Sequence, residues 1–292
     1  ERRPKASFNA LKQALATDER PSLPVAQRAG AVKPHWNLVA DIGGTNTRLG
    51  VVVGDLLREV HRHPTGSLED LHAALRQLQE EIGSAPQALV AAGAGPVHDG
   101  RIDLTNSALR LCERDLIAAT GAGYARVIND FTAAAWSVAN VSASDVLSLQ
   151  GSSTPPEGTR LVAGPGTGLG VGALLCSDGA YHTVSGEGGH IGLSPRNRDE
   201  VEIFEAARQL VPHCFFGDSL TLEAEMFLSG TGLPILYQAI ALTAGQTTPQ
   251  ARNAQVILQD AKSGADPIAT RTAQVFASHL GAVLGDLAVT LM

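Results

Sequence analysis

Two segments of the chain share one pattern: an apolar run, a Gly- and Thr-rich turn, and a second apolar run. They are LVADIGGTNTRLGVVV at 38–53 and LVAGPGTGLGVGALL at 161–175. The β-branched and small residues after each turn predict strand–turn–strand, whereas the familiar nucleotide-binding loops lead from a strand into a helix. Backbone N–H groups and Thr hydroxyls in such turns can bind phosphate oxygens. We therefore expect two glycine hairpins that clamp a nucleoside triphosphate between two lobes.

Composition excludes several classes of protein. The 292 residues are 44% hydrophobic and 17% charged, as in ordinary globular proteins with one or two cores. A net charge of −7 argues against general nucleic-acid binding, and 4% aromatic residues argue against a stacking platform for single strands. No apolar run approaches the length of a membrane span, and no secretory segment is found. Three cysteines without metal-ligand spacing favour a reduced cytoplasm: Cys112, Cys176 and Cys214.

The pattern along the chain divides it into three parts. Residues 1–37 are rich in proline and basic residues, and we expect a flexible N-terminal extension there; half of a small DNA-binding helical unit is the alternative. A small α/β lobe is predicted at 38–140 and a large α/β lobe at 141–292. The last apolar segment runs to Met292 without a Gly or Pro stop signal, so the large lobe is expected to lack a C-terminal part.

Periodicity predicts alternating strands and helices in the first lobe and mostly helices after Asp199. The predicted strands are Asn37–Ile42, Arg48–Val53, Ala88–Ala92, Arg101–Thr105 and Ala125–Asn129. The predicted helices are Leu68–Ile82, Glu113–Ala119, a segment after Asp130, Val201–Leu210, Pro234–Leu242, Ala251–Leu258 and a long segment from Pro267.

The first turn supplies phosphate-binding groups with charges beside them. Glycines allow close backbone approach, and Thr and Asn can bind phosphate or hold the turn. An acid next to a phosphate site suits Mg²⁺ or its water shell, and a following Arg could neutralise phosphate charge. A plain hairpin turn is the alternative. The candidate residues are Asp41, Gly43, Gly44, Thr45, Asn46 and Arg48.

The second turn permits a rival interpretation as a dinucleotide site. Gly168, Gly170 and Ala173 match the loose pattern G-x-G-x-x-A, and Glu187 lies near the expected place of a ribose-binding acid. That fingerprint must open a helix, but VGALLC continues as a strand. An oxidoreductase therefore remains a weaker alternative.

Three further positions carry polar side chains that could bind a ligand. Asn129 and Asp130 lie where a strand becomes a helix, so Asp130 is predicted as the N-cap or as a functional carboxylate. Glu187 and His190 lie in a Gly-rich loop suited to a polyhydroxyl ligand, with a metal pair as the alternative. Glu225 precedes an apolar stretch and by itself is typical of a solvated helix face.

Five segments in this order resemble the bacterial glucokinase family of the hexokinase/actin-like ATPase superfamily. They are ADIGGTNTRL, VINDFTAAAW, GPGTGLGVG, GEGGHIGLSP and EMFLSGTGL, and they cover the chain from about Leu38 to Met292. The resemblance implies a two-lobed, ribonuclease H-like α/β fold of the actin/hexokinase type, here C-terminally truncated. It also implies ATP- and Mg²⁺-dependent phosphorylation of glucose to glucose 6-phosphate, which enters glycolysis.

The resemblance also assigns roles to single residues. Asp130 would be the general base, and Asp41 would act on Mg²⁺ through water. The sugar-binding residues would be Asn129, Asp130, Glu187, His190, Glu225 and Asn106. The residues around the ATP phosphates would be Gly43, Gly44, Thr45 and Asn46 with Gly166, Thr167 and Gly168, and Arg48 beside them.

A neighbouring sugar-kinase family of kinases and repressors shares the hairpins and the Glu–Gly–Gly–His pattern. Its kinases carry a Cys-rich zinc segment after that His, whereas IGLSPRNRDE follows His190 here, which favours the glucokinase branch. A sugar-sensing regulator of the same fold without turnover is the alternative function. We expect small-molecule partners, glucose and ATP, with a homodimer possible and neither nucleic acid nor membrane as a partner.

Overall fold

The computed structural model describes residues 35–105, 107–141, 143–149, 158–184 and 186–291. These residues fall into two compact units, and the second unit begins at Gly158. The predictions for residues 1–34 and for Asn106 lie outside the described residues.

The first unit is built on a five-stranded mixed sheet. The strands of the whole first unit are β1 (Asn37–Ile42), β2 (Asn46–Val53), β3 (Leu56–Pro64), β4 (Ala88–Gly93), β5 (Val97–His98), β6 (Arg101–Asp103), β7 (Arg110–Cys112) and β8 (Tyr124–Asn129). Its helices are α1 (Leu68–Ile82), α2 (Glu113–Thr120) and α3 (Asp130–Ser137). The large sheet has the order β3-β2-β1-β4-β8, with β1, β4 and β8 parallel, and β5, β6 and β7 form a second, antiparallel sheet.

Local sequence explains the helix that covers this sheet. Ser67 and Asp70 form a reciprocal capping box at the start of α1, and Gly83 ends the helix in the left-handed conformation at φ 77°. Leu71 and Leu75 lie one turn apart and are buried with the alternating apolar residues of β1 and β2. The core of this unit therefore lies between α1 and the sheet.

The second unit begins with the second hairpin and continues mainly as helices. Its strands are β9 (Arg160–Pro165), β10 (Leu169–Ser177), β11 (Ala180–Val184), β12 (Gly192–Leu193) and β13 (Leu222–Glu223). Its helices are α4 (Arg198–Leu210), α5 (Leu233–Thr243), α6 (Ala254–Ser263) and α7 (Pro267–Leu291). Both predicted hairpins are confirmed, since β1 pairs with β2 and β9 with β10, each antiparallel.

The structure contains one strand that was not predicted, and one predicted helix cap is wrong. Strand β3 was not predicted, because LLREVHRHP lacks strict alternation, and a bulge interrupts its pairing with β2 near Val51 and Val52. The N-cap of α3 is Asn129 and not Asp130, which is the first helical residue. The Asn129 amide oxygen accepts the N–H groups of Phe131 and Thr132 at 2.9 and 3.2 Å.

Helix α7 corrects the expectation about membrane-length segments. By length and composition alone it could cross a membrane, with a mean hydropathy of 1.3 over its most apolar 18-residue window. Its buried side carries Thr272 and His279, and the His279 ring bonds the Glu200 carboxylate of α4 at 3.1 Å. A buried hydrogen bond such as that between His279 and Glu200 is typical of a helix that packs inside a folded unit.

Candidate active site

The first glycine turn follows the carboxyl end of β1. Its own closing bond runs from the Gly43 N–H to the Asn46 carbonyl at 3.0 Å. Thr65, directly after β3, binds the turn twice: its N–H donates to the Thr45 carbonyl at 2.9 Å and its hydroxyl to the Gly43 carbonyl at 2.7 Å. The N–H groups of Gly44 and Thr45 donate to no other residue that the structure describes. The carbonyls of Gly43, Thr45 and Asn46 are thus bound, and two N–H donors are open for an anion.

A charged pair stands beside this turn. Asp41 and Arg48 lie opposite each other on β1 and β2, and Arg48 Nη1 is 2.6 Å from Asp41 Oδ2. The two side chains are 52% and 43% exposed, respectively, so the pair itself adds little stability. Both charges remain accessible to a ligand at the turn.

Asp130 lies at the same edge of the sheet as the first turn. In the parallel strands, Ile42 is beside Gly93 and Gly93 is beside Asn129. The turn begins one residue after Ile42, the end of β1, and Asp130 follows Asn129, the end of β8. Only β4 lies between β1 and β8. Two strand spacings amount to about 10 Å. Ligands of open α/β sheets bind at this carboxyl edge.

The Asn129 side chain fixes the local structure around Asp130. Besides capping α3, its amide nitrogen donates to the Gly95 carbonyl at 3.1 Å. Asp130 is half-buried, and one of its carboxylate oxygens accepts the Phe131 N–H at 2.9 Å. The first turn of a helix is a favourable place for a negatively charged side chain.

The second glycine turn, Gly166–Gly168, is bound from the segment around residues 225–232. Its closing bond runs from the Gly166 N–H to the Gly168 carbonyl at 2.8 Å. The Gly230 N–H donates to the Gly166 carbonyl at 2.7 Å, and the Thr231 hydroxyl donates to the Thr167 carbonyl at 2.8 Å. Within the described residues, the N–H groups of Thr167 and Gly168 have no partner. This turn, too, leaves two donors open.

The Gly-rich loop places Glu187 and His190 side by side. His190 Nε2 is 3.9 Å from Glu187 Oε2, and His190 Nδ1 is 3.4 Å from Glu223 Oε2. About half of the Glu187 and His190 side-chain surface is exposed. Two carboxylates and an imidazole with open surface suit a ligand with several hydroxyl groups.

This loop rests directly on the strand that follows the second turn. A Cβ at Gly189 would overlap the Leu169 carbonyl, and one at Gly188 would lie 2.8 Å from the Val171 Cβ. The Ala224 N–H donates to the Ile191 carbonyl at 2.9 Å, which ties the end of the loop to the segment of Glu225. Loop and turn therefore share β10 as a common support.

Glu225 is not on a solvated helix face. It lies half-buried in a short 3₁₀ segment, Ala224–Met226, and its Oε2 accepts the Leu169 N–H at 2.7 Å. In the structure this carboxylate therefore binds the end of the second turn.

Sequence analysis missed three residues that bind the two turns or the Gly-rich loop. Thr65, Thr231 and Glu223 all act on turns or loops that lie 18 or more residues away along the chain. Only Glu223 left a signal, since it stands two residues before Glu225 in LEAEM.

The structure contradicts the dinucleotide interpretation of the second turn. β10 continues as a strand to Ser177, so Gly168, Gly170 and Ala173 do not open the helix that a dinucleotide fingerprint requires. Among the residues that the structure describes, no group of three or more His, Cys, Asp or Glu side chains could hold a metal ion.

Comparisons with known proteins agree with this architecture. The chain is 34% identical over 260 residues to a glucokinase of Sinorhizobium fredii, covering 87% of this chain and 74% of that protein. The crystal structure of a glucokinase from Balamuthia mandrillaris in complex with glucose superposes with a TM-score of 0.73 at 25% identity, covering 97% of this chain and 81% of that one. A glucokinase structure from an Antarctic psychrotroph gives a TM-score of 0.73 at 27% identity, covering 88% of this chain and 79% of that one.

The fold and these relatives define a hexose kinase with the predicted α/β sugar-kinase fold. The glucokinase family profile matches residues 38–292. The chain belongs to the glucokinase family.

Proposed function

We propose that the protein transfers the γ-phosphoryl group of ATP to the 6-hydroxyl of glucose, with Mg²⁺, in the cytoplasm. The observation that carries this proposal is the placement of Asp130 and the first turn at one carboxyl edge of one sheet. A base and a phosphate site within about 10 Å of each other suit a reaction that joins an alcohol to a phosphoryl group.

On the sugar side, Asp130 accepts the proton of the 6-hydroxyl as that oxygen attacks the γ-phosphorus. The bond from the γ-phosphorus to the β–γ bridging oxygen breaks, and ADP leaves with that electron pair.

Asn129 fixes the start of α3 and so orients Asp130. Glu187 and His190 bind sugar hydroxyls, and Asn106, Asn129 and Glu225 are further predicted sugar contacts. A positioned general base contributes about 10²–10⁴ in rate.

On the phosphate side, the turns provide fixed N–H donors. Gly44 and Thr45 in the first unit, and Thr167 and Gly168 in the second, have backbone donors that bind phosphate oxygens. Gly43, Asn46 and Gly166 shape these turns, and Arg48 offsets phosphate charge. Phosphoryl transfer depends mainly on such positioning and charge stabilisation.

The residues at the first turn fit a magnesium ion held mostly by the nucleotide. Mg²⁺ in kinases commonly keeps several waters and takes one or two protein carboxylates together with substrate phosphates. Asp41 is one carboxylate with half its surface open, directly before the turn. When bound, the ion neutralises charge on the β- and γ-phosphates. Asp41 would hold it through water.

The test is glucose-dependent ADP formation by the purified protein, with Asp130→Asn as the matched variant. We expect kcat to fall about 100- to 10,000-fold in the variant while glucose still binds. Product analysis by ³¹P NMR should show a phosphate monoester at the 6-position.

Glucose binding without turnover above Asp130→Asn would contradict this proposal and favour a sugar-sensing regulator. Equal turnover by the wild type and Asp130→Asn would also contradict it, since Asp130 would then not be the base. The predicted homodimer can be checked on the same sample by light scattering.

A further inference from the structure

We infer that Glu225 is a positioning residue of the second phosphate turn, and that it sets nucleotide affinity through its bond to Leu169 even when no sugar is bound. This inference rests on the proposed function, because it assumes that the turn binds the phosphates of ATP. It gives Glu225 a role on the nucleotide side in addition to its predicted contact with the sugar.

The geometry places the Glu225 carboxylate at the exit of the turn. Glu225 Oε2 accepts the N–H of Leu169, the first residue of β10, at 2.7 Å. Leu169 directly follows Gly168, whose N–H is one of the two donors left open. A hydrogen bond to an ionised acceptor is about twice as strong as a neutral one, so this contact fixes the peptide next to the donor.

Close packing supports the same role. A Cβ on Gly168 would overlap Glu225 Oε2, so the carboxylate lies against the turn backbone with no space between them. The neighbouring Gly230 N–H and Thr231 hydroxyl bind the carbonyls of Gly166 and Thr167. Every residue from Gly166 to Leu169 is thus contacted by the 225–231 segment, and Glu225 supplies the only carboxylate among these contacts in the described residues.

A carboxylate near a phosphate site also has an opposing effect. Its negative charge repels the phosphates of the nucleotide. A Glu225 side chain that did not position the turn would therefore only weaken phosphate binding. If positioning dominates, removing the acceptor lowers nucleotide affinity; if repulsion dominates, removing the charge raises it. Alanine removes acceptor and charge together, whereas glutamine removes the charge and keeps an acceptor.

The experiment measures ADP binding by calorimetry, with Mg²⁺ present and sugar absent. It compares wild type with Glu225→Ala, Glu225→Gln and the control Glu205→Ala, which removes an exposed charge from α4. Loss of a charge-assisted hydrogen bond predicts a dissociation constant about 10- to 100-fold higher for Glu225→Ala. We expect Glu225→Gln, which keeps a neutral acceptor of about half the strength, to bind ADP about three- to tenfold more weakly than wild type but more tightly than Glu225→Ala, and Glu205→Ala to be unchanged.

Two outcomes would overturn the inference: wild-type ADP affinity in Glu225→Ala, or tighter ADP binding in both Glu225 variants. A rise in the glucose KM alone would leave Glu225 as a sugar ligand only. Circular dichroism checks folding; if Glu225→Ala is unfolded, Glu225→Asp takes its place, since its shorter side chain keeps the charge but does not reach Leu169. Failure of the proposed function is distinguishable, because then wild type itself would not bind ADP.

Discussion

The two glycine turns have the same local design, but different sets of residues bind them. The first is bound by one residue, Thr65, which uses its N–H and its hydroxyl on two carbonyls. The second is bound by three residues of one segment, Glu225, Gly230 and Thr231. The first turn stands beside the Asp41–Arg48 pair, while a single carboxylate contacts the second. A glycine turn thus acquires its shape from a distant segment, and the number of supporting contacts differs between the units.

The largest effect on this comparison is expected from Gly189→Ala, which disturbs the Gly-rich loop and the second turn but not the first turn. The new Cβ overlaps the Leu169 carbonyl, and overpacking of this kind costs about 1–3 kcal/mol. Urea unfolding should show this loss in the second unit, and the KM values for both substrates should rise because loop and turn share β10.

Gly186→Ala is the matched control for this variant. It changes the same loop at a position where no atom of the described residues lies within 4 Å of the new Cβ. Its free energy of unfolding should stay within about 0.5 kcal/mol of wild type. Equal destabilisation by Gly186→Ala and Gly189→Ala would show that the loop does not depend on β10.

A smaller effect separates the two turns directly. Thr65→Val removes the hydroxyl that binds the Gly43 carbonyl, and Thr231→Val removes the one that binds the Thr167 carbonyl. Each lost bond is worth about 1 kcal/mol. Because Glu225 and Gly230 remain on the second turn, we expect ADP affinity to fall about fivefold in Thr65→Val and by less than about twofold in Thr231→Val. A larger loss of ADP affinity in Thr231→Val than in Thr65→Val would contradict the expectation that the first turn depends more on a single residue.

The smallest effect concerns pH. Burial lowers the pKa of His279 below its usual 6.5, against the opposing influence of Glu200. Its Nδ1 has no partner among the described residues, so protonation would leave a buried N–H unbound. The unfolded chain therefore binds more protons below about pH 6.5, and this contribution to stability is complete above that pH and declines as the pH falls.

Urea unfolding between pH 7.5 and 5.5 checks this sign. The free energy of unfolding of the second unit should fall by at most about 1.4 kcal/mol per pH unit from this one group. His279→Gln, whose amide can still donate to Glu200, should have a flatter pH profile. Parallel profiles for wild type and His279→Gln would contradict the assignment. Burial also lowers the pKa of His72 in the first unit, but His72 is only half-buried, so His72→Gln should flatten the profile less.

Sequence patterns predicted the structural elements that depend on residues close together along the chain. Both hairpins and the helix Leu68–Ile82 follow from the spacing of apolar residues along the chain. The cap of α3 was misplaced by one residue, because Asn and Asp are equally good caps and only the structure shows which side chain turns back.

The residues that bind the two turns could not be predicted from the sequence pattern. Thr65 and Thr231 are ordinary polar residues, and nothing in their neighbourhood indicates that their hydroxyls meet Gly43 and Thr167. Glu225 was assigned by resemblance alone, and its bond to Leu169 spans 56 residues of sequence. Such contacts depend on tertiary packing, which local propensity does not encode.

The contact of Gly189 with the Leu169 carbonyl limits how the acceptor specificity of this enzyme can be re-engineered. Bulkier residues at Gly188 or Gly189, introduced to alter the proposed sugar-binding loop for another hexose, would displace β10 and with it the second glycine turn. A mutant library aimed at new sugars should therefore keep both glycines and vary Glu223, whose carboxylate reaches His190 from outside that shared strand.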